Sequence, residues 1–391
     1  MKRYPEILIQ TITFPWSDYD DEFMRERDLM SGNTGNFLFQ WSTLNLFSKV
    51  PHENFTRIWD FRHNPELQKK KYDYILLPMA NAFREGSDEE LIYLTEVIEK
   101  VDAKVILDGI GGQFEDDVFP KFNNEDLIKK FVSTVLTKAK SIGVRDKRTQ
   151  QYLVDYLGFP INRVDVIGCP SVRYFGPRFK TTKYRKFSDD FKIGINFTPG
   201  QYKYSWAKFF DKIFRKYTNS YAYFQDIEEG RMLLDNIPMP SNKYHDLLPT
   251  FLKHPVIKEN RGKFIVRPDD WMDDISEMDF SIGTRIHGNV IPLLAGVPSM
   301  VIAIDSRTAG LADYNNIPYV WWYEITPETT LEELYYRTCS EMPKFYESFY
   351  DKYDEYINFF IKNGVNLEDL NSKYLPQHFI EVSTKEPSND C

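Results

Sequence analysis

Arg285 and His287, with one residue between them, are the pair in this chain best suited to chemistry. An arginine presents a planar fork of donors that matches phosphate or carboxylate. A histidine gives or takes a proton near neutral pH. Together they point to an anionic substrate and a proton-transfer step. The flanking residues say how the pair is held. An apolar run at 278–283 precedes it and an apolar helix candidate at 289–295 follows. Gly296-Val297-Pro298 then turns the chain into a second apolar run at 299–304. That order reads as a βαβ unit. Ligands of such sheets bind outside the carboxyl ends of the strands, which is where Arg285 and His287 fall. A loop histidine is also often only a cap, so the pair by itself leaves both roles open.

Three more loops sit at strand-to-helix junctions. In Asn33-Thr34-Gly35-Asn36, Asn33 and Gly35 could offer backbone N–H groups to a ligand at a helix start, or simply cap that helix. Asp108-Gly109-Ile110-Gly111-Gly112 lacks the order of a dinucleotide fingerprint. Its Gly111 and Gly112 permit close backbone approach. Asp108, Asp116 and Asp117 supply carboxylates nearby, with solvated loop acids as the plain alternative. In Gly143-Val144-Arg145-Asp146, Arg145 is either a second anion clamp or half of a structural pair, and Asp146 suits a helix cap. His52, His63, His245, His254 and His378 sit in loop-like or tail contexts without partners and read as structural. No nucleophile elbow and no P-loop occurs, so nucleophilic Ser or Cys catalysis has no support.

The wider pattern places these loops. At 391 residues, two domains are expected. Strand signals at 7–13, 72–77, 104–107, 141–144 and 164–167 alternate with helix signals at 37–47, 91–99, 127–139 and 147–157. A stretch at 173–190, rich in Lys, Arg, Tyr and Phe, looks like an interdomain linker. Strands at 191–197, 221–225 and 264–266 then restart the alternation, with a helix at 207–214 and another at 271–278 capped by Asp270. The restart implies two similar α/β domains facing across a cleft. The expected division is 1–175, then 176–325 carrying the Arg-x-His motif, then 326–391 as helices and tail. Two C-terminal helices, 331–339 and 344–361, are expected to be separated by Pro343. Their aromatic stripe suits packing more than binding, and the tail after Thr384 looks disordered.

Hydrophobic residues make up 42% and aromatics 16%, enough for real cores. The net charge of −9 argues against a duplex nucleic-acid binder. It leaves room for an anionic small substrate held by a local arginine cluster. Cys169, Cys339 and Cys391 have no metal-ligand spacing, so no metal is expected. Their sparseness fits a reducing compartment. With no signal peptide and no window near ~20 apolar residues, the reading is a cytoplasmic protein without a transmembrane segment.

Ser281-Ile282-Gly283-Thr284-Arg285-Ile286-His287-Gly288, with 293–298 and Asp305-Ser306-Arg307 after it, resembles the polysaccharide pyruvyl transferase family. Ser141-Ile142-Gly143-Val144-Arg145-Asp146, Asn33-Thr34-Gly35-Asn36 and Gly111-Gly112 resemble other segments of that family, in the same order. The central loop departs from a plainer glycine run, Arg307 stands where a lysine is usual, and the acidic segment 18–28 has no counterpart. The resemblance implies two Rossmann-like domains in a glycosyltransferase-B-like arrangement. It implies phosphoenolpyruvate as co-substrate, with no cofactor or metal. The acceptor would be a sugar diol of an oligosaccharide or lipid-linked glycan, compatible with peripheral membrane association. The product would be a pyruvate ketal with phosphate released. His287 would be the general acid, and Arg285, Arg145, Asn33, Gly35, Gly111 and Gly112 would bind the donor. Asp116 or Asp117 would be the base. Two rivals remain: a nucleotide-sugar glycosyltransferase, and a non-catalytic carbohydrate-binding protein of the same pathway.

Overall fold

The computed structural model describes residues 3–114, 119, 121–178, 182, 184–243 and 245–384. Asp116, Asp117 and the tail after Thr384 lie outside them. The chain divides into two compact units. The first comprises Met1–Pro15, Phe39–Arg178 and Ser348–Cys391. The second comprises Trp16–Leu38 and Phe179–Glu347. The division is therefore not sequential. An early segment belongs to the second unit, and the C-terminal helices are shared between the two.

In the first unit, strands β1 (Ile7–Ile9), β2 (Phe55–Arg57), β3 (Tyr74–Pro78) and β4 (Lys104–Asp108) form a parallel sheet in the order β2-β1-β3-β4. Strands β5 (Ile142–Val144) and β6 (Val164–Val166) pair in parallel. They adjoin the end of β4, where the Gly109 and Ile110 amides both donate to the Gly143 carbonyl. The strands read as continuous apolar runs because helices cover the sheet. The helix Asp88–Lys100 begins with Asp88, Glu89 and Glu90 and ends on Lys100, a charge order that suits its dipole. It buries Leu91, Leu94 and Ile98 at helical spacing.

In the second unit, β7 (Ile193–Asn196), β8 (Ser220–Phe224), β9 (Gly262–Phe264), β10 (Phe280–Gly283), β11 (Ser299–Ala303) and β12 (Tyr319–Trp321) form one six-stranded sheet. Every pairing is parallel. The order β9-β8-β7-β10-β11-β12 is the 3-2-1-4-5-6 order of the Rossmann fold. Its direction of winding reverses between β7 and β10. Ligands bind at the carboxyl ends of the strands at such a reversal.

Several expectations need correction. The two C-terminal helices are one, Leu331–Lys362, running through Pro343. An interior proline loses one backbone hydrogen bond and costs about 3 kcal/mol. Leu334, Thr338, Met342, Phe345, Phe349, Tyr353, Tyr356 and Phe360 are buried along one continuous stripe. Burial of each such side chain is worth roughly 1.5–3 kcal/mol, so continuity prevails. The helix expected at 271–278 is Pro268–Ile275, capped by Arg267. Pro268 presets the first helical φ, which moves Asp270 into the first turn. The linker expected at 173–190 does hold the passage from the first unit to the second, between Arg178 and Phe179, and two of its arginines are packed. Arg173 is buried over the Phe349 and Tyr353 rings, and Arg185 lies over Phe191 and pairs with Asp190 and Asp279. Cation–aromatic packing has no period, so a periodicity reading misses it.

The acidic segment also finds its place. Asp20 caps the helix Asp21–Glu26, accepting from the Phe23 amide at 2.8 Å. Arg25 pairs with Asp235 at 2.6 Å and Arg267 with Asp21 at 3.2 Å, tying the segment into the second unit.

Candidate functional site

The second unit gathers its polar side chains at the carboxyl ends of β7, β8 and β10. Strand β10 ends at Gly283, where a Cβ would lie 2.2 Å from the Asn196 carbonyl oxygen. Only glycine lets β10 run this close to the end of β7. Thr284 follows, and Arg285 forms the N-cap of the helix Ile286–Leu294. The Arg285 amide donates to Asn196 Oδ1 at 2.9 Å. Gly288 repeats the device inside the helix: a Cβ there would lie 2.5 Å from Gln225 Nε2 and 2.6 Å from Asn196 Cγ. The two glycines thus let Asn196 and Gln225 reach the first turn of the helix that carries His287.

The Arg285 side chain is fixed from three sides. Its Nε donates to the Phe197 carbonyl at 2.6 Å. Its Nη2 lies 2.7 Å from Asp226 Oδ2 and 3.8 Å from Glu229 Oε2. The Asp226 contact is a close, buried ion pair. Gln225 Nε2 and Thr34 Oγ1 are buried beside it with no hydrogen-bond partner among the described residues. Asp226 and Glu229 form a capping box at the start of the helix Ile227–Asp235. Glu229 Oε2 accepts the amides of Gln225 and Asp226 at 3.0 and 2.9 Å.

The electrostatics follow from these partners. Burial alone would raise the Asp226 carboxyl, but Arg285 and Lys243 outweigh it and hold it below its ordinary value. Glu229 is pushed up to about 7, because its complete burial exceeds the help it receives from Arg285, and the Asp226 charge adds to the rise. Burial lowers the Arg285 guanidinium, yet Asp226 and Glu229 carry it above its usual value. Asp226 is the ionised partner of the pair.

The N-terminal loop joins this site. The Thr34 amide donates to the Gln225 carbonyl at 3.0 Å, and the Ile227 amide to the Gly32 carbonyl at 3.0 Å. Asn33 Nδ2 lies 3.4 Å from Asp226 Oδ1, while Asn33 Oδ1 accepts the Gly35 amide at 2.8 Å. A Cβ on Gly35 would lie 2.8 Å from His287 Nδ1. Gly35 is therefore the floor against which the imidazole packs. Asn33, Gly35, Arg285 and His287, far apart in the chain, are brought together.

Arg145, Gly111 and Gly112 belong to the first unit. Arg145 is buried, and its Nε donates to the Gly109 carbonyl at 3.2 Å. A Cβ on Gly111 would lie 2.4 Å from Arg145 Cδ, and one on Gly112 2.2 Å from the Phe114 ring. The Gly111 amide donates to the Ala80 carbonyl at 2.7 Å and the Gly112 amide to Thr149 Oγ1 at 3.2 Å. Both amides are engaged by the protein, so these glycines make room for side chains and do not present donors. Asp146 caps its helix, accepting the Thr149 amide at 2.7 Å. Asp108 is no solvated loop acid. It is fully buried, and its Oδ2 accepts from Thr43 at 2.6 Å and Tyr356 at 2.8 Å. That burial, only partly offset by the two hydroxyls, pushes its carboxyl up to about 7.

Other histidines, expected to lack partners, have them. His245 Nε2 lies 2.9 Å from the Pro199 carbonyl and stacks on Tyr202. His254 accepts the Val256 amide at 3.2 Å as a helix cap, and burial lowers it to about 4. Sequence reasoning missed Asn196, Gln225, Asp226, Glu229 and Lys243. The signal for the first three was available, since Asn196 and Gln225 lie at the ends of the strands read at 191–197 and 221–225 and Asp226 follows directly. Glu229 and Lys243 are recruited by the fold and carry no local mark.

No curated protein shows significant similarity to the chain. Among solved structures, HepE of Anabaena in complex with UDP and glucose is 12% identical, with a TM-score of 0.44, over 98% of this chain and 100% of that one. A functionally uncharacterized protein of Klebsiella pneumoniae is 14% identical, with a TM-score of 0.40, over 79% and 88%. The UDP-GlcNAc 2-epimerase of Neisseria meningitidis is 10% identical, with a TM-score of 0.35, over 95% and 83%. Among the described residues no helix is long and apolar enough to cross a membrane. The sequence profile of one family spans residues 33–306, from the glycine loop through β10 and the His287 helix to the start of the next, and by that match the chain belongs to the polysaccharide pyruvyl transferase family.

Proposed function

We propose that the chain moves the pyruvyl group of phosphoenolpyruvate onto two hydroxyls of a sugar in a surface polysaccharide or its precursor, forming a ketal and releasing phosphate. The observation that carries this reading is a buried arginine, Arg285, fixed two residues from His287, with the buried donors Gln225 Nε2 and Thr34 Oγ1 unmatched in the loops around it. A buried donor left unmatched costs about 1–3 kcal/mol, and a bound anion supplies what is missing. Phosphoenolpyruvate brings a phosphate and a carboxylate, both suited to an arginine edge.

In this reading one sugar hydroxyl oxygen bonds to C2 of the enol while His287 delivers a proton to the C3 methylene, making it a methyl. The hydroxyl proton passes to a base, the part that sequence reasoning gives to Asp116 or Asp117, and then restores His287. The second hydroxyl oxygen displaces phosphate from C2, and its proton leaves with the phosphate. Arg285, pinned by Phe197 and Asp226, meets the growing phosphate charge without having to reorganise. Gly35 keeps the imidazole in place. An anion-holding role for Arg145 is proposed on its sequence pattern alone.

The test is thermal melting with phosphoenolpyruvate, UDP and GDP in parallel, together with turnover of a diol-bearing acceptor. A ligand that binds only the folded chain raises Tm as its concentration passes Kd. Phosphoenolpyruvate is expected to stabilise. His287→Ala should keep that stabilisation and lose ~10²–10⁴-fold in turnover. Wild-type turnover in His287→Ala would remove the general-acid role. Stabilisation by a nucleoside diphosphate and not by phosphoenolpyruvate would replace the reading with a nucleotide-sugar glycosyltransferase.

A further inference from the structure

A groove that shares no lining residue with this site has a charge opposite to that of the whole chain. It runs along the exposed side of the helix Tyr204–Lys216 and the segment Ile325 to Pro327, all within the second unit, with a volume of about 760 Å³. The helix is amphipathic. Trp206, Ala207, Phe210, Ile213 and Phe214 face the core. Tyr204, Lys208 and Lys212 recur every four residues, with Arg215 and Lys216 completing one exposed stripe. Residues at that spacing share a face, so the cations line up along the groove. Asp211 is the acid within it and is held by Arg215 at 2.8 Å. The chain as a whole carries −9, so this stripe is a local reversal of sign.

The floor and rim have another character. Phe209 and Ile325 close the bottom of the groove as buried core residues, and Pro327 is exposed at its rim. Tyr204 is 61% exposed and Tyr323 60% exposed. The turn Trp322–Glu324 adjoins the start of the helix, where Ser205 donates to the Trp322 carbonyl at 3.2 Å and Lys203 lies over the Trp322 ring. Exposed aromatic rings with a polar edge, beside lysines, match the headgroup layer of a membrane, where each group finds its own solvent. A polyanion without apolar parts, such as nucleic acid, would leave these rings unused.

We propose that this face docks on a membrane rich in anionic phospholipid. The lysine stripe faces the phosphates, and Tyr204, Tyr323 and Pro327 enter the headgroup boundary. The surface is separate from the Arg285–His287 site, and the proposal stands whichever donor that site uses.

The experiment is flotation of the full chain with vesicles of phosphatidylglycerol or of phosphatidylcholine. Binding to phosphatidylglycerol and not to phosphatidylcholine is expected, weakening as salt is added. Each lysine near an anionic surface contributes about fivefold. The double variant Lys208→Glu, Lys212→Glu should therefore bind at least about 25-fold more weakly, with an unchanged melting temperature because both side chains are exposed. Lys129→Glu with Lys130→Glu, on the first unit, should bind as wild type does. Tyr204→Ser should weaken the binding that survives added salt. Equal flotation of the groove and control variants would overturn the proposal. So would binding to phosphatidylcholine alone, or retention on heparin by the same lysines without flotation, which would reassign the stripe to an acidic glycan.

Discussion

The two units carry the same pentapeptide pattern at corresponding points and use it differently. Ser141-Ile142-Gly143-Val144-Arg145 contains β5, and Ser281-Ile282-Gly283-Thr284-Arg285 takes in all of β10 but its first residue. In both, the glycine lets a neighbour press against the strand, and the arginine Nε donates to a backbone carbonyl just past the end of an adjacent strand, Gly109 or Phe197. The difference lies in what surrounds the guanidinium. Arg145 is followed directly by Asp146, a buried acid whose caps and the Arg145 charge only partly offset the rise caused by burial. Arg285 is followed by Ile286 and His287 and draws its counter-charges from Asp226 and Glu229, beyond the end of β8. One scaffold thus holds an arginine beside a helix cap in one unit, and beside a histidine and two carboxylates in the other. The scaffold positions the fork, and the residues recruited around it decide the chemistry.

The largest test of that contrast is Asp226→Asn against Asp146→Asn. Asparagine caps a helix about as well as aspartate, so the cap is kept in both. The first change leaves the buried Arg285 without its closest counter-charge and should cost about 3–5 kcal/mol by urea denaturation. The second should cost less than ~1 kcal/mol. Equal losses would mean that Arg285 does not depend on Asp226.

Gly283→Ala and Gly143→Ala separate the two close approaches. The new methyl at Gly283 meets the backbone oxygen of Asn196 at 2.2 Å. At Gly143 it meets the end of the Ile167 side chain at 2.2 Å, with the Leu107 oxygen at 3.0 Å. A side chain can rotate away where a paired strand cannot. Overpacking of this kind costs about 1–3 kcal/mol, and Gly283→Ala should stand at or above the top of that range with Gly143→Ala below it. The reverse order would sink the account of β10.

The last test concerns Asp108, which burial raises to about 7 from an ordinary 3.8. The folded state holds the proton more tightly than the unfolded one. Its contribution to stability is therefore full below pH ~4 and is lost as pH rises through about 7. Asp108→Asn keeps an acceptor for Thr43 and Tyr356 but cannot ionise. The stability gap between variant and wild type should widen in favour of the variant from pH ~4 to 7 and then level off, reaching a few kcal/mol. A gap independent of pH would show that Asp108 ionises normally.

Much of this was legible in the chain. Most strands of both sheets were placed to within a few residues by their apolar runs, and the Asp146 cap followed from its type and place. The Arg285–His287 pair was found because the strand–turn–helix pattern around it is local. The Rossmann strand order was not legible, since periodicity shows that a strand exists and not which strand it pairs with. The unbroken helix through Pro343 was misread because a propensity cost visible in sequence was outweighed by burial that is not. Gly111 and Gly112 were read as allowing close backbone approach; the side chains that approach, Arg145 and Phe114, and the Ala80 carbonyl and Thr149 hydroxyl that accept their amides were not legible.

The sequence by itself determined the α/β class, the parallel strands with their carboxyl-end loops, the family, and the arginine and histidine as a pair. These rest on patterns spanning a few residues, where side-chain spacing and backbone geometry are directly linked. Tertiary structure alone decided that Asp226, Glu229 and Lys243 set the charge around Arg285, and that Gly35 meets His287. It also decided that the early segment at 16–38 belongs with the later unit. Those pairings join residues distant in the chain, and they form because strand order and burial leave each charged or polar group few other partners.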